Sequence, residues 1–178
     1  MPNKPLLRSF LLPLVLLCAS CGKSDEDHQR NAGALAKVIP ILEAEGVRLL
    51  MYEDRRKVLG YGRGMFFESD SGKHPFNGEA TPFGATATAD FDRIWKQIAA
   101  TQAEFYLVRR IKRGRGGKIT QATFSWGGRG YKTAGADQDL YVYSPGYKLP
   151  QDKIDRGAYD LRHTRINDDW YYILKEYD

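Results

Sequence analysis

The sequence predicts an α+β domain in which an antiparallel β-sheet built from hairpins carries one or two helices on one face. Three observations predict it. Apolar residues recur at helical spacing in two short stretches, Leu35, Val38, Ile39 and Leu42, then Phe91, Ile94, Trp95 and Ile98. From residue 105 onward, short runs rich in aromatic and β-branched residues are separated by turn-forming clusters. A helix comes first and strands follow, an order that segregates the helices instead of interleaving them with a parallel sheet.

The first stripe predicts a helix ending near Gly46, with a kink or split where Pro40 interrupts it. Residues 47–52 and 58–67 then read as two strands joined around 53–57. Gly60, Gly62 and Gly64 weaken the second strand and predict a bulge or a bent edge. Residues 68–89 form the longest stretch without periodicity, and Asp90 is placed to cap a short second helix. Residues 105–112 and 118–126 flank Arg113-Gly114-Arg115-Gly116-Gly117, a hairpin pattern. Residues 140–144 read as one more strand. Asn167-Asp168-Asp169 joins a further hairpin, 159–166 and 170–177. The last strand is apolar on both sides, with Trp170, Tyr172 and Leu174 on one and Tyr171 and Ile173 on the other. It should therefore be central or covered.

A chain of 178 residues with 42% apolar and 28% charged residues can fill one core, which excludes a fully disordered or collagen-like polymer. No stretch reaches the roughly 18 apolar residues of a membrane-spanning helix. The organisation expected is an address at 1–20, a polar tether at 21–33 and a single domain over 34–178.

The address is legible in residues 1–22. Lys4 and Arg8 precede an apolar run from Phe10 to Leu17, followed by small residues at Ala19 and Ser20, the layout of a secretory signal peptide. Leu17-Cys18-Ala19-Ser20-Cys21 resembles the lipobox of bacterial lipoproteins, although Cys18 stands where that family usually has Leu. The resemblance implies that Cys21 is the lipidation site, cleaved before and acylated on its sulfur and new amine. Gly22, where enterobacterial lipoproteins retained at the inner membrane tend to have Asp, would imply the outer membrane. The competing reading is an ordinary signal cut after Ala19, leaving Cys21 a thiol. Both cysteines fall within the first 21 residues, so a lipidated Cys21 would leave the exported domain free of stray thiols. The implied localisation is the cell envelope, with a membrane-anchored protein facing the periplasm.

Charge is unevenly spread. The chain carries 27 Lys and Arg against 22 Asp and Glu, a net +5. Residues 105–132 hold Arg109, Arg110, Lys112, Arg113, Arg115, Lys118, Arg129 and Lys132 with no acid among them. Two readings compete for this segment. As a binding patch, Arg109, Arg110, Lys112, Arg113, Arg115 and Lys118 would hold an anionic envelope component or an acidic protein. As a solvated edge hairpin, the charges would block strand-to-strand aggregation. Nucleic acid is not an expected partner outside the cytoplasm.

Catalytic signatures are weak. The three histidines, His28 in the tether, His74 in the long loop and His163 in a strand, share no zinc-site spacing, and the domain has no Cys to join them. No Ser sits in a Gly-x-Ser-x-Gly elbow. The carboxylate pairs Asp90/Asp92, Asp137/Asp139 and Asp168/Asp169 read as caps and turns. No catalytic residue, metal or cofactor is assigned. The function expected is binding, with a toxin- or enzyme-neutralising immunity protein as a narrower form. An envelope hydrolase using His163 or His74, and a structural subunit of an envelope assembly, are the rivals.

Overall fold

The computed structural model describes residues 24–53, 56–68, 81–126, 138–148, 153–155 and 160–176. Cys21, His74, Arg129 and Lys132 lie outside the described residues.

Helix α1 (Asp25–Ala44) starts inside the stretch expected to be a tether. Its N-cap is Ser24, whose hydroxyl accepts from the Asp27 N–H while the Asp27 carboxylate accepts from the Ser24 N–H. This reciprocal pair satisfies donors that a helix start leaves orphaned, so polar residues 25–33 are helical instead of extended. The apolar stripe Ala32, Leu35, Val38, Ile39 and Leu42 is buried against the sheet. Pro40 does not split the helix. It lies on the exposed side, where water can take the Ala36 carbonyl that Pro40 leaves without an N–H. Gly46 closes the helix at φ +65°, donating to the Glu43 carbonyl.

The chain then forms a meander, β1 (Val47–Glu53), β2 (Arg56–Tyr61) and β3 (Gly64–Glu68). The expected single strand over 58–67 is in fact β2 and β3, because Gly62 takes φ +53° and turns the chain back so that Tyr61 pairs with Gly64. A two-residue strand, β4 (Thr81–Pro82), lies parallel to β3. Helix α2 (Ala85–Ala99) is capped by Gly84, not by Asp90, which sits a turn and a half inside it. Asp90 instead accepts from the Tyr61 hydroxyl at 2.7 Å and from Arg93. The predicted buried side of α2 is observed: Phe91, Ile94 and Ile98 are buried and Trp95 is half-buried. Each such side chain contributes about 1.5–3 kcal/mol on leaving water.

The remaining strands are β5 (Leu107–Arg113), β6 (Ile119–Trp126), β7 (Gln138–Tyr143), β8 (Lys153–Asp155), β9 (Asp160–Arg165) and β10 (Trp170–Glu176). All ten form one sheet in the order β4-β3-β2-β1-β5-β6-β7-β10-β9-β8, antiparallel except for β3 with β4. The α+β expectation holds, and β10 is central between β7 and β9 as its two apolar sides required. The β5–β6 hairpin is not an edge. It lies in the middle of the sheet, and the edges are the short β4 and β8.

Both helices cover the same face. Leu59, Leu50, Val108, Phe124 and Tyr141 form a continuous row across β2, β1, β5, β6 and β7 beneath them. The helix layer is divided. Helix α2 packs on the β1–β3 half, where Trp95 meets Tyr52 edge-on at 4.9 Å and Lys57 lies 5.4 Å from the Phe91 ring centre. Helix α1 reaches the β5–β10 half, where His28 meets Tyr141 and Tyr172. Among the described residues the halves join along the sheet only through β1 and β5, paired at Leu50 with Val108 and at Met51 with Leu107, and by Tyr52 donating to the Tyr106 carbonyl.

Candidate functional site

The acid-free basic segment folds as the β5–β6 hairpin, and its geometry divides its cations into two groups. Alternation would send every second residue of β5 toward the helices, but the ladder slips. Arg109 pairs with Thr123, whereas the next partner pair is Lys112 with Gln121, so β5 carries one extra residue. Arg110 absorbs it at φ +54°, unusual for a residue with a side chain. Val108 and Ile111 thereby both pack on the helix-side core, and Arg113 is delivered to the end of α1.

Arg113 is spent inside the fold. One guanidinium nitrogen donates to the carbonyls of Leu42 and Val47, each at 2.8 Å, and the other to the Gly117 carbonyl at 2.7 Å. It supplies the positive charge that α1 lacks in its own last turn. Glu43 answers from the helix, accepting from the Ile119 N–H at 2.7 Å and pairing with Lys118 at 3.0 Å. Burial works against its charge, but these bonds prevail, and the carboxyl is held below its ordinary value. Arg109 lies on the face away from the helices, and its Nε is buried without a hydrogen-bond partner among the described residues. Of the six expected binding residues, Arg113 makes its bonds inside the fold, Lys118 pairs with Glu43 while staying 78% exposed, and Arg109 is half-buried on the opposite face.

The other three are exposed. Arg110 and Lys112 project from the bulged strand, and Arg115 sits in the turn, where Gly116 and Gly117 take φ of +72° and +77°. None of the three has a carboxylate partner among the described residues. This arrangement, on a hairpin that carries no Asp or Glu, can attract and hold an anion.

A second polar cluster lies where the first turns of α1 meet the sheet, and sequence reasoning missed it. The His28 Nδ1 is 2.9 Å from the Tyr141 hydroxyl, and its ring lies 4.1 Å from that of Tyr172, whose hydroxyl donates to Asp139. Tyr141 is fully buried, and burial pushes its hydroxyl up to about 12. The Asn31 side chain both donates to the Glu104 carbonyl and accepts from the Glu104 N–H, at 3.2 and 2.9 Å. These contacts dock the helix. The only advance signal was Ser24 three residues ahead of Asp27, the pattern of a reciprocal cap.

His163, a candidate of the hydrolase reading, is buried in β9 with its ring 6.4 Å from Tyr171. Among the described residues no group of three or more His, Cys, Asp or Glu is placed to hold a metal ion, and no helix is long and apolar enough to cross a membrane. The Asp168/Asp169 pair sits in the β9–β10 turn, where the Asn167 side chain accepts from the N–H groups of Asp169 and Trp170. No protein-family model, curated protein or solved structure matches the chain.

Proposed function

We propose that this chain is a lipid-anchored envelope protein that works by binding, held to a bilayer through Cys21 and facing the periplasm. The outer cations of the β5–β6 hairpin engage an anionic envelope component or an acidic protein surface. One observation carries the reading: Arg110, Lys112 and Arg115 stand exposed with no carboxylate partner among the described residues, while Arg113 of the same hairpin is committed to the end of α1. Uncompensated like charges raise the local potential and draw anions. The position of α1 sharpens the anchoring. Only Gly22 and Lys23 separate Cys21 from the N-cap. At about 3.5 Å per residue the domain is held within roughly 10 Å of its lipid.

Replacing Arg110, Lys112 and Arg115 together with Glu tests the patch. Envelope-fraction association is expected to fall by at least ten-fold at low salt and to be salt-sensitive in the parent, since each cation contributes about 1 kcal/mol at an anionic surface. Unchanged association rejects the reading. The anchor is tested separately: Cys21→Ala is expected to abolish labelling by a palmitate analogue and to release the protein into the soluble fraction.

A further inference from the structure

On the far side of α1 from the Asn31–Glu104 contact lies a groove of about 520 Å³ between the helix and the ends of β6, β7 and β10. The volume is that of a small-ligand or side-chain site. Its floor is apolar: Ile39 and Ile119 are buried, and the Tyr143 and Trp170 rings lie 5.2 Å apart. Pro40 and Pro145 form its shoulders. Its two banks carry opposed carboxylates, Glu43 from α1 and Asp169 from the β9–β10 turn.

The carboxylates differ in how far they are committed. Glu43 is held by the Ile119 N–H and shared with Lys118, whose side chain is 78% exposed. Asp169 uses its backbone to build the turn, accepting from the Ser144 N–H at 2.8 Å and donating to the Asn167 side chain at 3.0 Å. Its carboxylate makes no hydrogen bond or ion pair among the described residues. Burial, foremost, and then the charges of Asp169 and Glu43 raise the pKa of the Tyr143 hydroxyl, so both acids are felt at the groove floor.

We propose that this groove docks a lysine or arginine side chain presented by an extended segment of a protein partner. The methylene stem lies on the Tyr143 and Pro145 surface, as such stems do on apolar walls, and the cationic head meets Asp169. The head also competes with Lys118 for Glu43. The preference is opposite to that of the hairpin, and the inference does not rest on the hairpin reading. Because the chain as a whole is basic, general electrostatics disfavours a cationic partner, and any that binds must find a local acidic site.

The test titrates the full chain, purified in detergent, with hexalysine, using hexaglutamate as control and amide NMR shifts as readout. Hexalysine is expected to move the signals of Tyr143, Asp169 and Trp170, and hexaglutamate is not. Asp169→Asn, which leaves the turn's backbone bonds in place, is expected to weaken hexalysine about two- to five-fold, the range of one exposed charge pair. Lys118→Met, which frees Glu43, is expected to tighten it by a similar factor. Shifts that map elsewhere, equal affinity in Asp169→Asn, or weaker binding in Lys118→Met would overturn the proposal.

Discussion

The two ends of α1 are secured in opposite ways. The first turn is closed by its own neighbours, with Ser24 and Asp27 capping each other and Asp25, Glu26 and Asp27 set against the positive end of the helix dipole. The last turn has no basic residue of its own and is served by Arg113, 71 residues beyond Leu42, which binds the Leu42 and Val47 carbonyls together. The cap at one end is made by adjacent residues, although His28 and Asn31 just beyond it also reach Tyr141 and Glu104, whereas the other end is capped by a hairpin that must already be paired. A break at the second end therefore strikes helix, β1 and hairpin at once.

That contrast sets the order of expected effects. Arg113→Ala removes three charge-assisted bonds, two of them to the part-buried Leu42 and Val47 carbonyls, and should cost about 2–3 kcal/mol, read from the urea midpoint. Ser24→Ala removes one cap in solvent and should cost about 1 kcal/mol. If the two losses prove equal, the far end of α1 is no better braced by the hairpin than the near end is by its cap. The smallest effect is in pH. The Glu43 carboxyl is depressed when folded, so its contribution is complete above the ordinary value of 4.5 and fades as pH falls through the lower folded value. Glu43→Gln should flatten the acid limb of the stability curve below pH 4.5 and leave the neutral region less affected. An acid limb identical to the parent's would show that the Ile119 and Lys118 contacts do not depend on that charge.

The same contrast explains what could be seen in advance. Local chemistry was legible: the stripe from Leu35 to Leu42, the buried side of α2, the Arg-Gly-rich hairpin and the Asn167 turn all appear where patterns of period two or 3.6 and turn residues placed them. The start of α1 was not, because its inward positions are His28 and Asn31, polar groups that only a distant Tyr141 and Glu104 make worth burying. The centrality of the basic hairpin was hidden for the same reason. Its charges suggested an edge, yet a bulge at Arg110 and the open end of a distant helix accommodate them. Of the six cations expected to bind a partner, the sequence offered no means of telling Arg113, spent on the end of α1, and Lys118, paired with Glu43 of that helix, from Arg110, Lys112 and Arg115. That division is decided by contacts spanning most of the domain.

The join between β1 and β5 has a dynamic consequence. The line between Leu50 and Val108 connects segments further apart in the chain than any other strand pairing of the sheet, the β7–β10 pairing included, so closing it carries the largest single loop-entropy cost. Breathing motions should run along this line first, with amide protons at Leu50 and Tyr52 exchanging before those inside the β9–β10 hairpin. Helix α1, which leads into β1 yet rests on the other half, acts as a strap across it, so whatever loosens the strap lets the molecule open like a book.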